Sequence, residues 1–300
     1  MYVIMGASGN TGSVVANKLL EAGKKVRVVG RDSKKLAPFA SGGAEALVVD
    51  ALDAAALGRA FAGAEAVYVL IPPNVTADNL LKYEEQVTNA VAEAIESAKV
   101  KYAVVLSSFG ADKPEKTGPV LGLHHLESRL SKIPGLNALF LRAGYFMENM
   151  LAQVGIIRNF GMMAGPMRGD LPLPMIATQD IGEVSADALV RLDFNGVQTR
   201  ELLGQRDITY NEVARTVGKA IGRPALAYIK LPDEQVIQAM TGMGMSKNVA
   251  AAICEMAESL NNGYMRALEA RNAKNTTATS FETFVEKMFL PAFKGQAASA

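Results

Sequence analysis

The stretch Tyr2-Val3-Ile4-Met5-Gly6-Ala7-Ser8-Gly9-Asn10-Thr11-Gly12 joins an apolar run to three glycines at Gly-x-x-Gly-x-x-Gly spacing. Val14, Val15, Leu19 and Leu20 follow at helical spacing, Gly23 stands where a helix would close, and Val26 to Val29 form a second apolar run. Strand, glycine turn, helix and strand in that order make a βαβ unit. In such a turn the first glycine permits the bend and the second lets backbone N–H groups approach an anion. The third allows the helix to pack on the strand. The helix N-terminus, with its unpaired N–H groups and the positive end of its dipole, then faces a phosphate. Glycine spacing alone is a weak signal, and the flanking strand and helix give it weight. Gly6, Ser8, Gly9, Asn10, Thr11 and Gly12 are therefore candidate contacts to a dinucleotide pyrophosphate.

The end of the second apolar run decides which dinucleotide. It reads Gly30-Arg31-Asp32-Ser33-Lys34-Lys35. An NAD site would carry Asp or Glu there for the ribose 2′-hydroxyl, and Gly30 takes that slot. The Arg31 guanidinium can fork onto a 2′-phosphate and Lys34 or Lys35 can add charge, so NADP(H) is expected over NAD(H). The competing reading makes Arg31 and the lysines a solvated loop; in either case Asp32 is the expected N-cap of the next helix.

Apolar runs and helical patterns alternate along the first half of the chain. Leu47 to Val49, Ala66 to Ile71, Ala103 to Leu106 and Ala138 to Leu141 read as buried strands. Between them, Asp53 to Ala62 carries Leu57 and Phe61, Asn79 to Ala98 carries Val87, Val91 and Ile95, and Gly122 to Lys132 carries Leu123, Leu126 and Leu130. This order predicts an α/β fold, a doubly wound sheet of six parallel strands with right-handed crossovers. Ligands then bind outside the C-terminal strand ends, at Gly6 onward, Arg31, Asp50, Pro72, Ser107 and Ala143. A dinucleotide-binding unit is expected over residues 1–150 and a substrate-side unit over 151–300, with a segment of about 176–205 returning to the sheet. Within the second unit, Thr209 and Glu212 form a capping box, and the later stretch with Met240, Met243, Met245 and Met256 reads as helical. Methionines so placed either fill core gaps or line an adaptable pocket, core filling being the commoner use. The alanine-rich tail from Gly295 is expected to fray.

The chain has 300 residues, 49% of them hydrophobic, and a net charge of +1. That is enough for a sizeable core and lacks the basic footprint of a nucleic-acid binder, so no direct nucleic-acid partner is expected. No apolar run approaches the length of a membrane span, and the chain opens directly in a core strand, which gives the expectation of a cytoplasmic protein. The single cysteine, Cys254, sits in an apolar helical context and reads as buried rather than catalytic.

Taken together, several segments resemble the NmrA-like branch of the atypical short-chain dehydrogenase/reductase superfamily. They are GASGNTG at residue 6, GRD at 30, VVDALD at 48, LSSFGAD at 106, GLHHLESRL at 122, LFLRAGYFMENM at 139, TQDIGEVSADAL at 178, LLGQRDITYNEVA at 202 and AESLNNG at 257. The resemblance implies a Rossmann domain with a smaller, mainly helical C-terminal domain, NADP(H) in the cleft and a substrate pocket between the two. Members include NADPH-dependent quinone, azo-dye and triphenylmethane-dye reductases, and also redox sensors that bind the dinucleotide without turnover. Carried onto this chain, the resemblance assigns Gly6 to Gly12 to the phosphates and Arg31, with Lys35 beside it, to the 2′-phosphate. Asp50 and Ala51 fall at the adenine edge, and Leu70, Ile71 and Pro72 beneath the nicotinamide ribose. Ser107 with Ser108 ends the fifth strand, and Tyr145 and Phe146 fall beside the nicotinamide.

The chain departs from the wider superfamily at the catalytic step. None of its eight tyrosines is followed by lysine four residues later, so the Tyr-x-x-x-Lys proton relay is missing. The two histidines, His124 and His125, stand at the start of a crossover helix, close to where isoflavone-reductase-like relatives carry a catalytic lysine. His124 and Glu127 share a helical face, so a carboxylate could orient an imidazole as a general acid; the alternative is that His124 packs while His125 faces solvent. No third ligand accompanies the pair, so no metal site is expected. Hydride delivery to a quinone or conjugated dye asks little of the protein beyond stacking, since the product oxyanion can take its proton from water. The residues therefore point to an NADP(H)-dependent reductase of quinone-like or conjugated small-molecule acceptors, with His124 or Ser107 giving at most weak acid assistance. The alternative is a non-catalytic NADP(H) sensor acting through a regulatory protein partner. A homo-oligomer is compatible with either.

Overall fold

A computed structural model of the chain describes residues 1–296. In chain order the first half runs β1 (Tyr2–Met5), α1 (Asn10–Glu21), β2 (Val26–Gly30), α2 (Ser33–Ser41), β3 (Glu45–Val48), α3 (Ala54–Phe61) and β4 (Ala66–Val69). It continues with α4 (Leu80–Ala98), β5 (Tyr102–Ser108), α5 (Val120–Leu130) and β6 (Asn137–Ala143). The six expected strands are all present, but the sheet has seven. Further along the chain come β7 (Tyr145–Phe146), a 3-10 turn (Met147–Ala152), α6 (Gln153–Phe160), β8 (Met163–Gly165), β9 (Leu173–Ile176), α7 (Thr178–Arg191) and β10 (Val197–Leu202). Strand β10 pairs parallel with β6, giving the order β10-β6-β5-β4-β1-β2-β3. This Rossmann-like sheet is parallel throughout, with registers such as Val3 beside Arg27 and Ser107 beside Arg142.

A parallel strand covered on both faces must be apolar on both, and alternation divides its residues between two cores. Val3 and Met5 join Val67, Val105 and Phe140 on one face, packed under Leu57 and Phe61 of α3, Val87, Val91 and Ile95 of α4, and Leu126 and Leu130 of α5. Tyr2 and Ile4 face the other way, with Tyr68, Val104 and Leu141, under Val15 and Leu19 of α1, Leu36 of α2 and Ile181 and Leu189 of α7. Leu57, Phe61 and Leu19 are wholly buried, each contributing roughly 1.5–3 kcal/mol by removal from water. The helices begin where a side chain can take up their free N–H groups. Asp32 accepts from Lys34 and Lys35, Asp53 from Ala56, and Asn79 from Lys82, each cap stabilising its helix by about 1 kcal/mol.

Beyond β10 the chain forms β11 (Asp207–Ile208), α8 (Tyr210–Ala220), β12 (Tyr228–Lys230), α9 (Asp233–Gly242) and α10 (Lys247–Asn261). Helix α8 opens with the capping box of Thr209 and Glu212. Two small sheets, β11-β9-β7 and β12-β8, frame a third core containing Met150, Ile157, Tyr210, Val213, Tyr228, Phe281 and Phe289. Cys254 is buried in α10, and burial pushes its thiol up to about 11. The methionines divide: Met243 is exposed at the end of α9, whereas Met256 packs against the third core. The helical reading of the later chain holds over α9 and α10 but not between α10 and Phe281. Long-range polar contacts override local propensity there, since Glu201 accepts from the backbone of Leu268 and Glu269 while Arg271 donates to the carbonyls of Leu203 and Gly204. Three short helical turns, Phe281–Phe284, Val285–Phe289 and Leu290–Lys294, close the described chain, and Gly295 adopts a left-handed φ of 73°. The rest of the alanine-rich tail, residues 297–300, lies outside the described residues. No described helix is long and apolar enough to cross a membrane.

Candidate active site

The glycine turn after β1 is built to leave amides open. Gly6 has φ +61°, a conformation that L side chains rarely adopt. Gly9 is the N-cap of α1 with no side-chain cap, and the first turn carries no acidic residue. The first N–H groups of α1 thus lack the usual internal partner and present an anion site. Gly12 works by packing: a Cβ there would lie 2.3 Å from the Gly6 carbonyl oxygen. Thr11 is held from behind by the buried Tyr68, whose hydroxyl donates to Thr11 Oγ1 at 2.9 Å. Burial pushes the Tyr68 phenol up to about 12, so it keeps the proton it donates.

This turn opens one end of a cleft of about 730 Å³ along the C-terminal edge of the sheet, large enough for a cofactor and a small acceptor. Ser8, Gly9, Asn10 and Thr11 line it, followed by Gly30 and Arg31 after β2, Val49 and Ala51 after β3, and Leu70, Ile71 and Pro72 after β4. Arg31 is the one charged side chain among the described lining residues, and its guanidinium forms no ion pair within the described chain. Three expected contacts stand off the wall. Gly12 is buried behind the turn, as its packing role requires. Asp50 turns its carboxylate back to accept from the N–H of Leu52 at 3.0 Å. Lys35 lies exposed on α2, its backbone engaged with the Asp32 cap.

The opposite end is apolar with a few oriented polar groups. Ser107 and Ser108 end β5, Phe109 follows, and α5 brings Pro119, Val120 and Leu123. Tyr145, Phe146 and Asn149 come from the exit of β6, Thr178 from the start of α7, and Met256, Leu260 and Met265 from α10 and its continuation. Burial raises the Tyr145 phenol above its ordinary value, so it stays protonated. Thr178 is committed elsewhere, its hydroxyl donating to Glu148 at 2.6 Å.

Two acid–base expectations are corrected here. Glu127 does not serve His124; it accepts from Ser107 Oγ at 2.5 Å and from Arg142 Nε and Nη2 at 3.0 and 2.6 Å. His124 turns Nδ1 to the carbonyl of Ala111 at 2.8 Å and is absent from the cleft wall. It shares a helix turn with Glu127, but the carboxylate faces the sheet, where the partly buried Arg142 pairs with it. Ser107 does reach the wall, yet its proton is already donated to Glu127, which removes it as a proton donor. The Met256 and Leu260 contacts were legible as an i, i+4 pair on one helix face. Met265 arrives through irregular chain after α10 and has no comparable signal.

Helix α10 also fastens the margins of the cleft. At its start, Ser246 Oγ donates to Ala77 O at 2.6 Å, Ser246 N to Val75 O at 2.9 Å, and Asn248 Oδ1 accepts from Leu80 N at 2.8 Å. Near its end, Ser259 donates to the carbonyl of Lys116.

The chain is 30% identical over 258 residues to an NAD(P)H azoreductase of Xenophilus azovorans, covering 85% of this chain and 86% of that one. Its fold matches an NADPH-dependent quinone oxidoreductase from Escherichia coli, complexed with NADPH, at TM-score 0.75, 21% identity and coverage of 96% and 100% of the two chains. It also matches the Citrobacter sp. triphenylmethane reductase complexed with NADP(H) at TM-score 0.78, 16% identity and coverage of 95% and 99%. The glycine turn, the parallel sheet and the cleft along its edge belong to one continuous pattern, and the sequence profile of the NmrA-like family matches it over residues 2–286; the chain is a member of the NmrA-like family.

Proposed function

We propose that the chain is an NADP(H)-dependent oxidoreductase that reduces quinone-like or other conjugated acceptors. The observation that carries this is the distribution of charge in the cleft. Its one cation among the described residues, Arg31, stands after β2 where a 2′-phosphate would lie, and the far end is walled by Phe109, Leu123, Phe146, Met256 and Leu260. Open amides in the first turn of α1, which follows Gly9, and the close Gly6–Gly12 approach fit a pyrophosphate between them. The azoreductase relative supports the same cofactor class. When bound, the dinucleotide supplies the hydride. The protein positions the acceptor, excludes water with the apolar wall and offers no strong acid, so the product proton comes from solvent. In this reading the sheet of residues 1–150 with β10 holds the cofactor, and the chain beyond residue 150 completes the acceptor end.

The lack of an available acid also favours a second reading. With Ser107 committed to Glu127 and His124 off the wall, the site suits a sensor that reads NADPH against NADP⁺ and signals to a protein partner. The test is NADPH oxidation by purified protein, with and without quinones and azo dyes, beside a titration of NADPH and NADP⁺. Acceptor-dependent oxidation establishes the reductase. Tight binding, a clear preference for one redox state and no turnover across the panel would establish the sensor.

A further inference from the structure

The hydroxyl of Ser107 has one proton and two acceptor positions. The proton goes to Glu127 Oε1 at 2.5 Å, a length typical of a charge-assisted O–H···O⁻ bond. Arg142 occupies both oxygens of the same carboxylate, at 3.0 and 2.6 Å. Both Ser107 and Glu127 are buried, and Arg142 sits directly beside Ser107 in the β5–β6 register. To aim its proton at the cleft, Ser107 would have to leave a buried carboxylate short of one donor, and such a loss is costly in low dielectric. The triad therefore fixes the direction of the hydroxyl. Ser107 lines the cleft and can offer it only lone pairs.

We infer that Ser107 is an obligate hydrogen-bond acceptor in the cleft, and that it recognises an N–H or O–H donor on the nicotinamide half of the cofactor. Glu127 and Arg142 are the positioning residues behind it. An oxidised quinone or azo acceptor has no such donor at its reacting atoms, whereas the nicotinamide carboxamide and its ribose both do. Strand β5 lies beside β4, at the end of the cleft remote from Arg31, which places Ser107 under that half of a bound dinucleotide. The role is opposite in sense to proton donation. It rests on the NADP(H) reading, and the test separates the two.

Binding of NADP⁺, of its 3-acetylpyridine analogue and of 2′,5′-ADP is measured for the wild type and Ser107→Ala. The adenosine fragment 2′,5′-ADP lacks the nicotinamide half and reports the Arg31 end and the integrity of the site. Loss of one acceptor should weaken NADP⁺ roughly tenfold in Ser107→Ala and leave 2′,5′-ADP within about twofold. If the acetylpyridine analogue is unaffected, the donor is the carboxamide N–H; if it weakens in parallel with NADP⁺, the donor is a ribose hydroxyl. In Glu127→Gln the amide can donate to Ser107 Oγ and free the serine proton, so NADP⁺ affinity should fall without loss of 2′,5′-ADP binding. Unchanged NADP⁺ affinity in Ser107→Ala, or equal weakening of 2′,5′-ADP, would overturn the inference. Failure of the wild type to bind 2′,5′-ADP would instead overturn the cofactor reading.

Discussion

Gly12 stands so close to Gly6 that a Cβ on the first would lie 2.3 Å from the carbonyl oxygen and 2.7 Å from the carbonyl carbon of the second. Both obstructing atoms are backbone, so a substitution can be absorbed only by moving the turn or the helix. Gly12→Ala is expected to weaken NADPH binding at least about tenfold and to cost roughly 1–3 kcal/mol of stability. Gly9→Ala meets the same carbonyl at 3.2 Å and should be milder on both counts. Titration and thermal melts of the two variants check the order; a milder Gly12→Ala would mean that the close approach does not set the shape of the turn.

Arg31 provides the charge at the β2 end of the cleft. Arg31→Ala should raise the Kd for NADPH much more than that for NADH, by about 1.5–3 kcal/mol for a lost charge-assisted contact. Parallel titrations measure the difference, and equal weakening of both cofactors would remove the 2′-phosphate assignment.

His124 bonds the Ala111 carbonyl and does not line the cleft. His124→Ala is therefore expected to change turnover by less than about threefold while lowering Tm, since a lost general acid would cost on the order of a hundredfold or more. Steady-state rates with a quinone across neutral pH distinguish these outcomes.

Glu84 of α4 is buried against α5, with Oε2 lacking any partner and lying where a Cβ on Gly122 would meet it at 2.3 Å. Desolvation raises its carboxyl to about 8 from 4.5. Between those values the unfolded chain has lost the proton that the folded protein keeps, so stability falls as pH rises from about 4.5 towards 8 and then levels. Glu84→Gln should abolish that decline, which amounts to about 5 kcal/mol. Denaturant melts at acid and mildly alkaline pH check it; an equally steep decline in the variant would place the titrating group elsewhere.

The parts of this molecule that could be read from sequence are those governed by short-range rules. The βαβ opening, the caps at Asp32, Asp53 and Asn79 and the box at Thr209 and Glu212 depend on neighbours a few residues away. The i, i+4 faces of α3, α4 and α5 follow the same logic, and each element formed where its pattern put it. The seventh strand was harder, because Val197–Leu202 includes Gln198, Thr199, Arg200 and Glu201. An edge strand needs apolar residues less than a central one does. Partner choice was hardest. His124 and Glu127 are correctly spaced for contact, but helical spacing does not say what lies across the interface, and Arg142 and Ser107 claimed the carboxylate. Met265 entered the cleft through chain held by Glu201 and Arg271, contacts made far away in sequence.

Helix α10 is fastened by Ser246 and Asn248 to the loop after β4 and the start of α4 and by Ser259 to the loop before α5, and it presents Met256 and Leu260 to the cleft. The chain after β4 and the loop before α5 are consequently tied to one helix rather than set independently. A displacement of α10 would have to break both sets of ties, so the two rims of the cleft are coupled through this helix.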